Sequence, residues 1–163
     1  MASENAFGVR KRNKDMSSLD PIEAIKAEFK DRIIDWEEKS PKRYYITVPR
    51  EDITKVADFI FAKQGARFII ASGVDTPQAI EILYHFAFDK LNKMVTVKVP
   101  VPKENCELES IASLIAGANW IEREIAELLG VNFLNHPDPG RLLLAEDWPE
   151  GKYPLRQEPR SNK

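Results

Sequence analysis

Thiols, imidazoles and glycines are all scarce in this chain of 163 residues, and each scarcity removes a class of chemistry. A single cysteine, Cys106, excludes an internal disulfide framework and suits a reducing, cytosolic setting. With only two histidines, His85 and His136, it cannot build a zinc cage or a cysteine-held iron–sulfur centre. The seven glycines nowhere fall into G-x-G-x-x-G or G-x-x-x-x-G-K-[ST], the loops that cradle nucleotide phosphates. No apolar run approaches the roughly 18–20 residues a membrane helix needs. The pieces "FIFA" at 59–62 and "FIIA" at 68–71 are of core size. The N-terminus lacks the apolar centre of a secretory signal. Nor is there a charge surplus: 24 basic against 26 acidic residues leave a net charge of −2, so general nucleic-acid binding is not expected. One local exception is "RKRNK" at 10–14, inside a Ser- and Asn-rich stretch, residues 1–18, that reads as a disordered arm.

What is present is a core. Hydrophobic residues make up 43% of the chain, enough for one domain plus extensions. "LDPIEAIKAEF" announces a helix, with Asp20 as N-cap, Pro21 at the first helical position and Glu23 three after the cap. Ile22, Ile25 and Phe29 form its apolar stripe, and a strand is expected from about Ile33. "KRYYITVP" at 42–49 is a second strand. Helical spacing returns at Ile53, Val56, Ala57, Ile60 and Phe61, with Gly65 placed as a stop. Alternation then puts Ile80, Ile82, Tyr84, Phe86 and Phe88 on one face of a strand, and Val95, Val97, Val99 and Val101 on one face of the next. The short link between them predicts an antiparallel hairpin, with Pro100 and Pro102 ending its ladder. This order has no regular βαβ alternation. It predicts an α+β domain over residues 19–130, a largely antiparallel sheet with packed helices, followed by an extended C-terminal arm over 131–163.

Two features resist a bland reading. In "GANWIEREIAELLG" at 117–130, Trp120, Ile121, Ile125, Leu128 and Leu129 share an apolar arc, and Glu124 falls within it. A carboxylate there needs a partner or a proton. Arg123 and Glu127, one turn apart, read as a surface pair. The arm is the second feature. It holds five of the eleven prolines yet keeps Phe133, Leu134, Leu142, Leu143, Leu144, Trp148, Tyr153 and Leu155, unlike a plain disordered tail. Apolar burial alone does not offset the entropy of ordering it, so the free arm is expected to be marginal and to exchange its amides rapidly.

Catalytic chemistry is thinly supported. His85 lies on a strand face with Glu81 and Ala87, and Cys106 has no histidine nearby in sequence. His136 sits in the turn "NHPDPGR", and a free-standing enzyme would use His136 or Glu124 as its base. A soluble adaptor binding through the basic arm is a further alternative.

The sequence resembles the 30 kDa subunit of respiratory complex I, also called the C subunit of NADH–quinone oxidoreductase. The resemblance rests on "GANWIEREIAELLGVNF", then "HPDPGRLLL", then "YPLRQEP" at 153–159, with support from "ASGVD" at 71–75 and "VTVKVPV" at 95–101. It covers roughly residues 20–159. "GRLLLAEDWPEGKYPLR" is similar to the versions found in membrane-bound, energy-converting nickel–iron hydrogenases and related archaeal-type complexes. The resemblance implies a non-catalytic peripheral subunit with no cofactor or metal of its own. Its partners would be a hydrogenase-like large subunit, an iron–sulfur small subunit and membrane subunits, with the nickel–iron centre and iron–sulfur clusters held by those chains. The arm would wrap the large subunit on the cytoplasmic face of the membrane. The same family places an equivalent subunit in NADH–quinone oxidoreductases. Interface candidates by motif are Trp120, Glu122, Arg123, Glu124, His136, Asp138, Arg141, Trp148 and Arg156.

Overall fold

Asp20 caps the first helix as its position predicts: its side chain accepts from the Ile22 amide at 2.9 Å, and α1 runs Pro21–Glu28. The computed structural model describes residues 20–157, so the N-terminal arm and its basic run lie outside the described residues. β1 (Asp35–Ser40) and β2 (Arg43–Thr47) follow, then α2 (Ile53–Asp58), β3 (Arg67–Asp75), β4 (Ala79–Phe88), β5 (Lys93–Pro102), β6 (Glu107–Glu109), α3 (Asn119–Leu129) and β7 (Asn132–Leu134). The main sheet has the order β1-β2-β5-β4-β3. Only β2 and β5 run parallel, and the other neighbours are antiparallel. This is the α+β, largely antiparallel architecture that the element order implies.

Alternation explains the centre of the sheet. Ile80, Ile82, Tyr84, Phe86 and Phe88 of β4 are buried, as are Val95, Val97, Val99 and Val101 of β5. The two strands pair along their full length, from Ala79 opposite Pro102 to Phe88 opposite Lys93. The prolines do not end this ladder. β2 makes its last pair at Thr47, opposite Lys98, so Pro100 lies beyond the strand that would have needed its amide.

The helices pack on the face that carries Ile82 and Val97. Ile22, Ile25 and Phe29 of the first helical segment join one core with Ile53, Val56, Ala57 and Ile60, and the Phe29 and Phe59 rings meet edge to face at 5.3 Å. After Asp58 the helix widens into a π turn over Phe59–Lys63. That turn buries Phe59 and leaves Phe61 only half-buried, a shift that a regular 3.6-residue period does not foresee.

α3 lies across β3. A Cβ on Gly73 would collide with Leu129 Cδ1 and stand 3.4 Å from Ile125 Cγ2, so the absent side chain lets the helix approach this closely. β7 pairs with β6, and Val131 just before it and Phe133 within it are buried. Among the described residues, no helix is long and apolar enough to cross a membrane.

Gly73→Val should overpack the α3–β3 contact and cost about 1–3 kcal/mol. Leu129→Ala in the same chain should return part of that loss, a coupling read from a double-mutant cycle in denaturant. Strictly additive effects would show that α3 does not rest on Gly73.

Candidate functional site

The carboxylate inside the domain belongs to Glu122, not to Glu124. Glu122 is fully buried. Its Oε1 accepts from the Tyr84 hydroxyl at 3.1 Å and from the Ile111 amide at 3.0 Å, and its Oε2 accepts from the Ser110 hydroxyl. Ser110 Oγ in turn accepts from the Ala112 amide at 3.0 Å. Among the described residues, no lysine or arginine joins this set. Burial pushes the Glu122 carboxyl above its usual range, and the donors from Ser110, Ile111 and Tyr84 only partly restrain the rise. Burial and the neighbouring Glu122 charge also raise the Tyr84 hydroxyl well above its ordinary value.

This corrects the helical arc read from the sequence. The buried stripe of α3 is Glu122, Ile125 and Leu129, continuing from Ala118 before it. Relative to the expected arc the helix is rotated: Trp120 is 70% exposed, and Ile121, Glu124 and Leu128 are half-buried. The wheel weighs only apolarity. The structure turns inward the one glutamate for which β4 and the segment after β6 supply donors.

His136 adjoins this carboxylate, its Nε2 standing 3.8 Å from Glu122 Oε2. Its nitrogens are already engaged: Nδ1 accepts the Asp138 amide at 3.1 Å, and Nε2 lies 3.1 Å from the Asn119 carbonyl. An amide can only donate and a carbonyl only accept, so the proton sits on Nε2 and points at Asn119. The ring is a bracket between α3 and the turn that starts the arm.

From there α3 holds the arm through polar groups. Arg123 donates to the Gly140 carbonyl at 2.7 Å, to the Arg141 carbonyl at 2.6 Å and to the Asp138 carboxylate at 2.8 Å. Glu127 accepts three successive amides, Leu142 at 2.5 Å, Leu143 at 2.8 Å and Leu144 at 3.3 Å. Burial raises the Glu127 carboxyl, but the Leu143, Leu142 and Leu144 amides and the Arg141 charge bring it below its usual value. Arg141 folds back onto the Ala145 and Trp148 carbonyls. Arg156 donates to Leu129 O at 2.6 Å, where the helix ends at Gly130 with φ +69° and the Tyr153 ring against it. The last anchor is Asp75, whose carboxylate accepts the Gln157 amide at 2.7 Å and meets Lys103 at 2.5 Å.

Polar groups of α3 thus meet the backbone of the arm, a contribution that apolar burial alone does not count. Apolar area leaves out charged side chains bonded to backbone. Some of the large side chains face outward, Leu143 at 59% exposed and Leu155 at 56%, whereas Phe133 is buried, Leu142 and Leu144 are half-buried and the Tyr153 ring covers Gly130. Sequence reasoning placed Tyr84 only in the core, passed over Ser110 and Asp75, and took Arg123 and Glu127 for a surface pair, although each reaches the arm. His85 contacts Ser72 and Thr96 on the sheet face away from the helices. Among the described residues, no group of three or more His, Cys, Asp or Glu side chains is arranged to hold a metal ion.

A family model described as "Respiratory-chain NADH dehydrogenase, 30 Kd subunit" matches residues 46–163. The chain belongs to this family. The 30 kDa-family chain is 33% identical to the C subunit of F(420)H(2) dehydrogenase from Methanosarcina mazei over 140 residues, 84% of this chain and 88% of that one. It is 30% identical to the C subunit of NADH-quinone oxidoreductase from Geobacter metallireducens, covering 69% of this chain and 72% of the relative. Formate hydrogenlyase subunit 5 of Escherichia coli is 28% identical over 84% of this chain, a match that fills only 25% of that longer protein. The fold of the 30 kDa-family chain is similar to a chain in the structure of the membrane-bound sulfane sulfur reductase, an archaeal respiratory membrane complex (TM-score 0.71, 20% identity, 83% of this chain and 81% of that chain). It is also similar to a trypsin-resistant fragment of Nqo5 (TM-score 0.62, 22% identity, 73% and 99%).

Two measurements check this site. Glu122→Ala leaves three buried donors unsatisfied at about 1–3 kcal/mol each, so it should unfold far more readily in denaturant than Glu124→Ala, which should lie within about 0.5 kcal/mol of the parent. The raised Glu122 carboxyl also gives a sign. The folded chain holds this proton more tightly than the unfolded chain, so the associated stability is present below about pH 4.3 and is lost as pH rises through the folded value. Glu122→Gln should flatten that decline.

For the arm, hydrogen exchange of the isolated chain should show the Leu142, Leu143 and Leu144 amides protected. That protection should vanish in Glu127→Ala. It should also vanish in the parent as pH falls through the lowered Glu127 value, because the acid form no longer accepts three amides. Rapid exchange at neutral pH would show that Glu127 does not hold the arm.

Proposed function

We propose that this chain is a non-catalytic peripheral subunit that seats against a hydrogenase-like large subunit of a membrane-bound, ion-translocating redox complex, of the energy-converting hydrogenase type. One observation carries the reading: polar groups of α3 fix the backbone of the arm, while Leu143 and Leu155 are more than half exposed and Trp148 is partly so. An arm ordered for its own fold would turn such side chains inward. Ordered in advance, it meets a partner with less entropy left to lose. Trp120, 70% exposed on the same helix, adds an aromatic anchor of the type that dominates interfaces.

The relatives support the hydrogenase side of this assignment. In formate hydrogenlyase subunit 5 and hydrogenase-4 component G of Escherichia coli the matching stretch is a quarter of a longer polypeptide. We read the remaining three quarters as the counterpart of the separate large subunit here. In this scheme the nickel–iron centre and iron–sulfur clusters belong to the partner chains, and this subunit lies on the cytoplasmic face beside a large subunit, an iron–sulfur small subunit and membrane subunits. Arg141, Asp138, Arg156 and His136 shape the arm, while Trp120 and Trp148 touch the partner. A second reading, the same subunit in an NADH–quinone oxidoreductase, draws on the 30% identity to the Geobacter metallireducens relative.

Affinity purification of the tagged chain from native membranes separates these readings. A large nickel-containing subunit should co-purify, and a chain ending at Asn135 should keep its fold but lose that subunit. A large subunit without nickel, accompanied by quinone reductase activity, would favour the second reading. An active lone protein would overturn both.

A further inference from the structure

The two edges of the five-stranded sheet are unlike. β1, at one edge, is six residues long, presents exposed Glu37, Glu38 and Lys39, and is broken by a bulge between Glu38 and Ser40. Shortness, charge and a bulge are the devices that stop an edge from pairing with another chain. β3, at the other edge, is nine residues long and is charged only at its two ends, Arg67 and Asp75. From Phe68 to Val74 it carries no ionisable side chain, and Ile69, Ile70 and Val74 are 41%, 49% and 47% exposed. Its bulge falls early, between Phe68 and Ile70, which leaves a regular run to Asp75. Along that run the alternate backbone N–H and C=O groups that point away from β4 have no strand opposite them among the described residues.

This edge is continuous with the arm. Gln157, the last described residue, donates its amide to Asp75 at the end of β3, and Leu155 donates to Leu128 O in the helix that rests on Gly73. The described part of the arm thus ends at the C-terminal end of this edge strand. The charges that bound the strip are neutralised within the chain, Arg67 by Asp89 and Asp75 by Lys103. An incoming segment therefore meets no charge to answer, and fits best if it is itself uncharged and β-branched.

We propose that the free edge of β3 takes an extended, uncharged, β-branched segment of the large subunit as a sixth strand of the sheet. The inference rests on the partner reading above and names a second contact, independent of the arm. Main-chain hydrogen bonds supply the attachment, and the side chains at Ile70 and Val74 select what lies against them.

The test uses the full chain and the native complex, comparing the parent with Ile69→Lys and Val74→Lys, the substitutions that guard natural edges. Both variants should melt like the parent as isolated chains, because each lysine reaches solvent. Each should lower recovery of the large subunit by at least about tenfold. Hydrogen exchange should show alternate amides between Ile69 and Val74 fast in the isolated chain and slow in the complex. If the parent captures no large subunit, the partner reading fails. If the parent captures it, the lysine variants bind equally well and these amides stay fast in the complex, the edge proposal fails alone. A concentration-dependent dimer of the isolated chain, with these amides protected and dispersed by Val74→Lys, would assign the edge to a second copy and overturn the proposal.

Discussion

The buried Glu122 carboxylate is the constraint on which the remaining structure depends. Three segments converge on it: Tyr84 from β4, Ser110 and Ile111 from the stretch after β6, and α3 itself. A charge in the core without a cation is tolerable only while its donors stay in place, so the contact fixes orientation more than it adds stability. It sets the rotation of α3. Once that rotation is set, Arg123 and Glu127 face the arm, Trp120 faces solvent, and Leu129 lies over Gly73.

Side chains around this helix divide their labour. Charged groups bind backbone carbonyls and amides of the arm, and Leu143 and Leu155 remain free. This reverses the usual arrangement of a core, and it is reasonable only where a second surface completes the burial. Charge-assisted bonds to the backbone hold a segment without consuming its side chains. The arm can thus be ordered and still present its apolar surface.

The fold was legible where one rule governs. Alternation placed Tyr84, Phe86 and the valines of β5, because a central strand buries every second residue whatever its distant surroundings. Asp20 and Pro21 were legible because capping is local. β6 and β7, three residues each, are too short to alternate and were missed. Glu122 was not legible: its donors come from 11, 12 and 38 positions away, and hydroxyls and an amide carry no charge signal. The arm's anchors are hidden for a similar reason. Their partners are mostly main-chain groups, which every residue possesses, so no pattern of residue types marks them. The motif resemblance pointed to Glu122, Arg123 and Arg156 without saying what each one holds.

The spacing along α3 also limits how chains of this kind can change in length. Glu122 looks inward, while Arg123 and Glu127 look toward the arm, all within a turn and a half. Inserting or deleting one residue between Asn119 and Leu129 turns everything beyond it by about 100°. Core and arm would then be lost together, and no later substitution restores both. The turn at 76–78 carries no such double duty, whereas the link at 103–106 holds Asp75 through Lys103. Length differences should therefore collect at 76–78, with α3 kept at a constant count.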